Sequence, residues 1–372
     1  MAFSAAEALP ADWREGLFLG RAQLPEGPSP ILIEGGRVYD MAAVAPTVSA
    51  LVEARHFTGA GGRPLDGPDG LALLSPIDLQ CVKASGVTFA VSALERVIEE
   101  RADGDPAAAA AIRTRLEGQI GGSLRAVVPG TEEAAALKRA LMADGLWSQY
   151  LEVAIGPDAE IFTKSPVLST LGWGAEIGIR SDSTWNNPEP EIVLLVAPDG
   201  TPVGASLGND VNLRDFEGRS ALLLGKAKDN NASCSLGPLV RLFDDRFTLD
   251  DVRHAELELV VEGEDGYRLA GASAMSQISR DPLDLVRQSL SEHQYPDGFV
   301  LFLGTLFAPI QDRDEPGRGF THKVGDRVTI ASPRLGRLVN RVTTSKDAAP
   351  WSEGIGALMR NLAGRGLLSR PT

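Results

Sequence analysis

The sequence predicts an α+β, β-rich protein in which a helical segment interrupts a series of strands. Short apolar runs bounded by turn residues, such as 192–196, are typical of β-strands. From Ala90 onward, in contrast, apolar residues recur at helical spacing. We therefore expect a small N-terminal β-rich domain at 1–80 and a larger domain at 81–372, with a helical insertion at about 91–148.

The first 80 residues contain two local patterns and a loop. The segment from Pro30 to Val38 predicts a strand, a turn and a second strand, because Gly35-Gly36 interrupts its apolar residues. Residues 48–54 are typical of a short helix. Residues 56–69 are rich in glycine and proline, which predicts a loop.

Three helices are predicted in the insertion. The first begins at Ala90, with apolar residues on one face and charged residues largely on the other, which we interpret as solvent-facing: Glu95, Arg96, Glu99, Glu100 and Arg101. Asp105-Pro106 is a start signal for a second helix that ends near Glu117, and Thr131 opens a third that continues to about Asp144.

The C-terminal part again favours strands. Residues 299–303 and 327–331 are candidates for buried strands, and the charged segment 309–323 between them predicts a loop able to cover a site. Residues 351–368 predict an amphipathic helix whose apolar stripe contains Ile355, Leu358, Met359 and Leu362.

Composition excludes several classes of protein. The formal net charge of −14 argues against nucleic acid or an anionic membrane as a partner. Two cysteines are too few for a disulfide framework, which favours a reducing cytoplasm. No apolar run approaches the length of a membrane span, and the N-terminal sequence lacks the pattern of a secretory signal. We expect a soluble, cytoplasmic protein.

Three acidic residues follow one another in a pattern that predicts a metal site. Glu189 and Glu191 are two residues apart at the start of an apolar run, so on a strand their side chains point to one face. Asp199-Gly200 marks a turn, and a return strand would bring Asp210 to the same place. Gathered carboxylates repel one another unless a cation lies between them. Oxygen ligands favour Mg²⁺ over Zn²⁺, with Mn²⁺ or Ca²⁺ as alternatives.

An ordered set of short motifs resembles the fumarylacetoacetate hydrolase family. The set comprises Glu189-x-Glu191, Gly208-Asn209-Asp210, Ala227-Lys228, Leu236-Gly237-Pro238, Ile161-Phe162-Thr163-Lys164, Gly304-Thr305 and the strand-turn pattern around Gly325 and Gly336. The resemblance covers about Cys81 to Thr344. It implies that residues 81–372 form a catalytic domain built on a mixed β-roll, with a divalent metal on Glu189, Glu191 and Asp210, and an oxo-acid substrate that chelates the metal.

One motif departs from the hydrolytic members of that family. The segment from Gly86 to Glu95 resembles a stretch in which those members use a His-Glu pair to activate water, but Ser92 stands at the histidine position. A serine hydroxyl without a base has little basicity at neutral pH, which argues against hydrolysis of a carbon-carbon bond. The departure, together with the run from Arg180 to Trp185, is shared with the branch of the family that dehydrates 2-keto-3-deoxy sugar acids.

This resemblance implies the dehydration of 2-keto-3-deoxy-D-pentonate to 2,5-dioxopentanoate, the semialdehyde of α-ketoglutarate, in oxidative pentose catabolism. The C1 carboxylate and C2 ketone of this substrate are able to chelate Mg²⁺, which acidifies the C3 protons before the C4 hydroxyl leaves. Three other functions stay open: a hydrolase or decarboxylase of an oxo acid, retro-aldol cleavage of the same substrate, and a non-catalytic metal-binding relative. The three carboxylates and Lys228 argue against the last of these. Family members are commonly oligomers, so we expect a homodimer or homotetramer.

Roles for individual residues follow from the motifs. Lys228 is the first candidate for proton transfer or enolate stabilisation and Lys164 the second, and a cation beside such a lysine lowers its pKa. Glu160 is a candidate general base that shares a strand face with Lys164. The residues expected to bind substrate are Arg180, Ser181, Ser92 and Thr305, with Arg180 placed to hold a carboxylate.

Overall fold

A computed structural model describes residues 3–307 and 309–368. Its strands are β1 (Leu17–Leu24), β2 (Gly27–Glu34), β3 (Arg37–Asp40), β4 (Arg63–Leu65), β5 (Ala72–Leu73), β6 (Cys81–Gly86), β7 (Glu160–Ser165), β8 (Glu176–Ile179), β9 (Asn186–Asn187), β10 (Pro190–Val196), β11 (Pro202–Asp210), β12 (Asn212–Leu213), β13 (Cys234–Leu242), β14 (Glu256–Glu262), β15 (Arg268–Ala274), β16 (Phe299–Phe302), β17 (Arg327–Ser332) and β18 (Gly336–Thr344).

The α-helices are α1 (Ala5–Ala8), α2 (Val48–Glu53), α3 (Ala90–Arg101), α4 (Pro106–Leu116), α5 (Gly122–Ala126), α6 (Glu132–Ala143), α7 (Gln149–Ile155), α8 (Arg214–Glu217), α9 (Leu224–Lys228), α10 (Leu249–Arg253), α11 (Pro282–Leu290) and α12 (Ile355–Gly364). Among the described residues, no helix combines the length and the apolarity that a membrane crossing requires. The prediction of a β-rich α+β chain with a helical segment after β6 is confirmed.

Two mixed sheets organise the molecule. The larger has the order β4-β3-β2-β1-β13-β11-β10-β16-β6-β7, with β5 paired to β1, and the smaller has the order β15-β14-β17-β18-β8. Most pairs are antiparallel, whereas β16 with β6 and β18 with β8 are parallel. Strand β10 is buried along its whole length because both of its faces are covered. Ile192 and Leu194 pack in the core that the two sheets share, and Val193 and Leu195 pack on the opposite face with α2.

The larger sheet continues across the expected domain boundary. Strand β1 pairs with β2 on one side and with β13 on the other, so strands from residues 1–80 lie in the same sheet as strands from the rest of the chain. The division at residue 80 remains a prediction about which part of the chain folds independently.

Helix α3 differs from the sequence prediction on its charged face. Glu95, Arg96 and Glu99 are buried, with 5%, 8% and 1% of their surface exposed, so the interpretation of these residues as solvent-facing is wrong. The apolar face packs among the other helices of the insertion, and the charged face meets other charged groups inside the protein. Periodicity reveals two faces of a helix, but it does not reveal what each face contacts.

The C-terminal helix is shorter than the amphipathic segment predicted. In α12, Leu358 and Leu362 are buried against Leu168. Ile355 and Met359 are more than half exposed, so half of the predicted apolar stripe does not pack.

Candidate metal centre and adjoining cavity

The three predicted metal ligands meet inside the larger sheet. Strands β10 and β11 form the expected hairpin, in which Glu191 pairs with Gly208 and the N–H of Asp210 donates to the carbonyl of Glu189 at 3.0 Å. Glu189, Glu191 and Asp210 are buried, and one carboxylate oxygen from each lies within 4.8 Å of the others. Three buried oxygen donors at this separation suit a hard divalent cation.

Glu191 shows why a cation fits at this place. Burial, followed by the carboxylates of Asp210 and Glu189, raises the pKa of Glu191 well above its usual range. The N–H of Gly304 donates to its Oε2 at 2.7 Å. Gly304 adopts a φ of +101°, which favours glycine, and a Cβ at this position would lie 1.9 Å from the Thr88 hydroxyl. Because residue 304 is a glycine, its backbone N–H is able to approach the carboxylate of Glu191.

Two buried lysines contact the same carboxylates. Lys228, at the end of α9, pairs with Glu189 and lies 3.2 Å from Asp210 Oδ2. Burial lowers the pKa of Lys228, but the carboxylates of Asp210 and Glu189 outweigh burial, and the net shift is upward. A neighbouring cation would shift the pKa in the opposite direction, as the sequence argument assumed.

Lys164 reaches the centre from a β-bulge. On β7, Thr163 pairs with Lys83 and Ser165 pairs with Val82, so Lys164 is the extra residue between them. Its ammonium lies 2.8 Å from Asp210 Oδ1 and also contacts the carbonyl of Lys228. Lys164 is fully buried and does not line the cavity described below. It is placed to hold Asp210 and the end of α9.

Glu160 lies at the other end of the same strand, opposite Gly86 on β6. Burial, with a further contribution from the charge of Glu217, raises the pKa of Glu160 to about 7. A Cβ on Gly86 would lie 2.0 Å from the carboxylate of Glu160, so the glycine leaves the space that this side chain occupies. A carboxylate with a pKa near neutrality is suited to proton transfer.

A small cavity adjoins the carboxylates. It is lined by the three predicted metal ligands and by Lys228, Glu160, Phe162, Ser85, Gly86, Val87, Ser92, Arg96, Glu217 and Thr305. Ser92 Oγ donates to the carbonyl of Phe89 at 2.8 Å and accepts from its N–H, as in a helix capping box. The Thr305 hydroxyl donates to the carbonyl of Phe307 at 3.0 Å.

Arg180 and Ser181 are not brought to this cavity. The guanidinium of Arg180 pairs with Asp182 at 2.8 Å and donates to the side chain of Asn230 at 3.2 Å, and Ser181 is exposed. Asp182 and Asn230 thus accept the hydrogen bonds of the Arg180 guanidinium outside the cavity. Substrate binding by these two residues stays a prediction that requires their loop to approach the cavity.

Glu95, the expected partner of the missing histidine, also faces away. It forms a bidentate pair with Arg113 at 2.8 and 2.7 Å and does not line the cavity. Within residues 3–307 and 309–368, Ser92 and Glu95 therefore do not form a water-activating pair beside the carboxylates.

A buried ionic network that no sequence motif predicted supports the centre. Arg96 donates to Glu189 Oε1 and to Glu99 Oε2, both at 2.6 Å, and its Nε lies 3.3 Å from Glu217. Arg214 lies 3.2 Å from Glu99. Arg96 and Glu217 occur in separate helices with no motif that distinguishes them from surface charges, so no sequence signal identifies them.

Charge balance in this network favours a divalent cation. The carboxyl groups in and beside the cavity outnumber the cationic side chains by two: Glu99, Glu160, Glu189, Glu191, Asp210 and Glu217 against Arg96, Lys164, Arg214 and Lys228. Burial raises the pKa of Glu191 and of Glu160, so without a cation these two carboxyl groups take up protons, whereas a divalent cation would compensate them in the ionised form. The residues present therefore fit a metal ion such as Mg²⁺.

Comparisons with known proteins agree with this geometry. The family model described as "Fumarylacetoacetate (FAA) hydrolase C-terminal" matches residues 149–343. A probable 2-keto-3-deoxyxylonate dehydratase of Haloferax volcanii is 32% identical over 52% of this chain and 64% of its own length. A 2-dehydro-3-deoxy-D-arabinonate dehydratase of Saccharolobus solfataricus is 29% identical over 49% of this chain and 58% of its own length. Each match thus spans less than two thirds of the curated relative.

Solved structures share the fold. A 2-keto-3-deoxy-D-arabinonate dehydratase in its apo form aligns over 88% of this chain and 98% of its own, with a TM-score of 0.64 and 20% identity. The same enzyme complexed with magnesium and 2,5-dioxopentanoate aligns with a TM-score of 0.63 and 20% identity over the same shares of the two chains. These likenesses confirm the fold that the sequence motifs predicted.

Proposed function

The chain belongs to the fumarylacetoacetate hydrolase family, and from that premise we propose that it is a Mg²⁺-dependent hydro-lyase that converts 2-keto-3-deoxy-D-pentonate to 2,5-dioxopentanoate. The observation that carries the proposal is one cavity that joins a buried carboxylate triad, Lys228 and a proton-transfer carboxylate, Glu160. The names of the relatives supply the substrate class. The absence of a His-Glu pair beside the triad favours dehydration over hydrolysis.

Glu189, Glu191 and Asp210 would hold the Mg²⁺. The ion, when bound, supplies Lewis-acid polarisation of the 2-keto acid. The protein contributes the fixed positions of the ligands: Gly304 orients Glu191, and Arg96 orients Glu189. In this proposal Lys164 is a positioning residue, because it contacts Asp210 and the backbone of Lys228 but does not line the cavity.

Glu160 is proposed to move the protons. In its ionised form it takes a proton from C3, and in its protonated form it returns a proton to the C4 hydroxyl, which leaves as water. The ammonium of Lys228 faces the negative charge that develops on the C2 oxygen. The unsaturated keto acid then tautomerises: C5 and its hydroxyl each lose a hydrogen, while C3 and C4 each gain one. The product is 2,5-dioxopentanoate.

Ser92 and Thr305 are proposed to contact the substrate, since both line the cavity. Each hydroxyl now bonds a backbone carbonyl and retains the capacity to accept a hydrogen bond. Arg180 and Ser181 belong to the proposal only if their loop closes over the bound substrate.

Product analysis tests the reaction. Purified protein is incubated with Mg²⁺ and 2-keto-3-deoxy-D-pentonate in D₂O, and the products are identified by NMR. We expect 2,5-dioxopentanoate that carries deuterium, because protons exchange with solvent during the tautomerisation. Pyruvate and glycolaldehyde as main products would replace the proposal with a retro-aldol cleavage, in which a base acts on the C4 hydroxyl instead of on C3.

The wider setting is also a proposal. The substrate class places the reaction in the oxidative catabolism of pentoses, and the two cysteines favour a reducing cytoplasm. A homodimer or homotetramer is expected from the family resemblance. Light scattering coupled to size-exclusion chromatography measures the assembly directly, and a monomer would contradict this part of the proposal.

A further inference from the structure

The cavity contains a carboxylate that the proposed reaction does not use. Glu217 is the last residue of α8, and only 2% of its surface is exposed. The end of this helix is fixed, because the Tyr150 hydroxyl donates to the backbone carbonyl of Glu217 at 3.1 Å. The side chain lines the cavity that contains the metal ligands.

The two carboxylate oxygens of Glu217 have different surroundings. Oε1 lies 3.3 Å from the Nε of Arg96. Oε2 is buried and has no hydrogen-bond partner among residues 3–307 and 309–368. A buried charged oxygen without a donor costs free energy, and native structures rarely leave one unsatisfied unless a ligand or water completes it. Oε2 is therefore a hydrogen-bond acceptor that a donor group on a bound ligand is able to satisfy.

Arg96 separates this acceptor from the metal centre. The same guanidinium contacts Glu217 through Nε and Glu189 through Nη2, the latter at 2.6 Å. Glu217 thus lies one guanidinium group away from the nearest predicted metal ligand. Glu217 and Glu160 line the same cavity as the triad, so a 2-keto acid whose C1 and C2 oxygens face the triad would place the rest of its chain among the other lining groups, which include these two carboxylates.

The chemistry of this end of the cavity discriminates among substrate tails. A carboxylate accepts hydrogen bonds but does not donate them, so its partner must be a donor such as a hydroxyl. A second carboxylate on the substrate would meet the charges of Glu217 and Glu160 at short range. An apolar tail would leave Oε2 unsatisfied.

We propose that Glu217 is a specificity-determining residue whose Oε2 accepts a hydrogen bond from a hydroxyl of the substrate chain beyond C3. The cavity then selects 2-oxo acids with a hydroxylated tail over those with an apolar or anionic tail. This inference rests on the proposed function and names the group that recognises the sugar-derived part of the substrate.

Two ligands with the same keto-acid head separate this role from a structural one. 2-Keto-3-deoxy-D-pentonate carries hydroxyls beyond C3, whereas 2-oxopentanoate carries none and has no C4 hydroxyl to eliminate. For wild type, Glu217→Leu and Glu217→Gln, we would measure kcat/KM for the first and the inhibition constant of the second with saturating Mg²⁺ near pH 8. Asp103→Asn is the matched control, because Asp103 is an exposed carboxylate in the turn after α3 that does not line the cavity.

Glu217→Leu is expected to lower kcat/KM for the hydroxylated substrate by about 10-fold or more, since a buried hydrogen bond to a substrate hydroxyl is lost. The inhibition constant of 2-oxopentanoate should change by less than about 3-fold or fall, because that ligand offers no donor. Glu217→Gln retains an acceptor oxygen, so it should keep more kcat/KM than Glu217→Leu. Asp103→Asn should resemble wild type with both ligands.

Other outcomes would overturn the inference about Glu217 or the proposed function. If the Glu217 variants weaken both ligands equally, or neither, Glu217 does not read the tail and the inference is overturned while the dehydratase proposal stands. If Glu217→Leu does not fold, as judged by circular dichroism, Glu217→Ala takes its place with the same pair of ligands, because it also removes the acceptor oxygen. If wild type neither dehydrates the first ligand nor binds the second in the presence of Mg²⁺, the proposed function fails and the inference fails with it.

Discussion

The pH dependence of catalysis gives a direct test of Glu160 as the proton-transfer group. Burial and the charge of Glu217 raise the pKa of Glu160 to about 7. A base acts only in its ionised form, so the rate must fall as the pH drops through this pKa. The affected constant is kcat/KM, which reports ionisations of the free enzyme.

The magnitude follows from the pKa. Without a metal ion, about one molecule in ten carries an ionised Glu160 at pH 6, and about one in a hundred at pH 5. Bound Mg²⁺ lowers this pKa, so with Mg²⁺ kcat/KM should fall about tenfold per pH unit below a pKa that lies under 7 and above that of an exposed glutamate. Glu217→Gln removes the charge that contributes most, after burial, to this shift. We expect the acid limb of that variant at lower pH than in wild type, although above the limb of an exposed glutamate, because burial remains.

The assay is kcat/KM for 2-keto-3-deoxy-D-pentonate from pH 5 to 8.5 at saturating Mg²⁺. Glu160→Gln should lose about 10²-fold or more near pH 8 and should lack the acid limb, so its profile approaches that of wild type at low pH, since no ionisable base remains. Asp158→Asn is the matched control: it is an exposed neighbour that does not line the cavity, and its profile should match wild type. A profile that stays flat down to pH 5, or a Glu160→Gln variant that retains both activity and the acid limb, would refute the assignment of Glu160.

Three further predictions concern the metal, the lysine and the missing histidine. Chelation should abolish activity, and Mg²⁺ or Mn²⁺ should restore it. Glu191→Gln should fold normally but show no Mg²⁺ binding by calorimetry. A Glu191→Gln protein that is fully active in chelator would contradict the metal site. Lys228→Met should lower kcat by about 10²-fold or more, whereas Lys226→Met, an exposed lysine on the same helix, should not; equal effects would argue against a role at the C2 oxygen. Acylpyruvates should be cleaved with kcat/KM well below about 10⁴ M⁻¹s⁻¹ because Ser92 is no base, and efficient cleavage would point to another base.

Local rules were sufficient for the carboxylate triad. Glu189 and Glu191 share a face because side chains on a strand alternate, and Asp210 returns to them because the turn at Gly200 closes a hairpin. The short helix α2 and the start of α4 at Asp105-Pro106 were predicted for similar reasons, since caps and turns depend on neighbours in the chain. The ordered motifs added the fold, which periodicity alone would not have distinguished from other mixed α+β folds.

Contacts between distant parts of the chain lay beyond such rules. Lys164 leaves the regular alternation of β7 because a bulge forms against β6, a register that depends on the partner strand. Arg180 pairs locally with Asp182 and so remains away from the cavity, although its motif predicted a role in binding. Each of these placements depends on the group with which the side chain pairs. That group is determined only by the tertiary structure.

By itself, the sequence determined that three carboxylates meet at one place, the strand that carries Glu160, and the replacement of the family's histidine by Ser92, because motif spacing and local geometry encode these features. Only the tertiary structure decided that the charged face of α3 is internal. Arg96 meets Glu189 across 93 positions of sequence and meets Glu217 from another helix. A charged stripe on a helix has the same periodicity whether water or groups of opposite charge face it. The positions of Arg96 and Glu217 beside the metal centre are therefore determined only when the helices pack against the sheet.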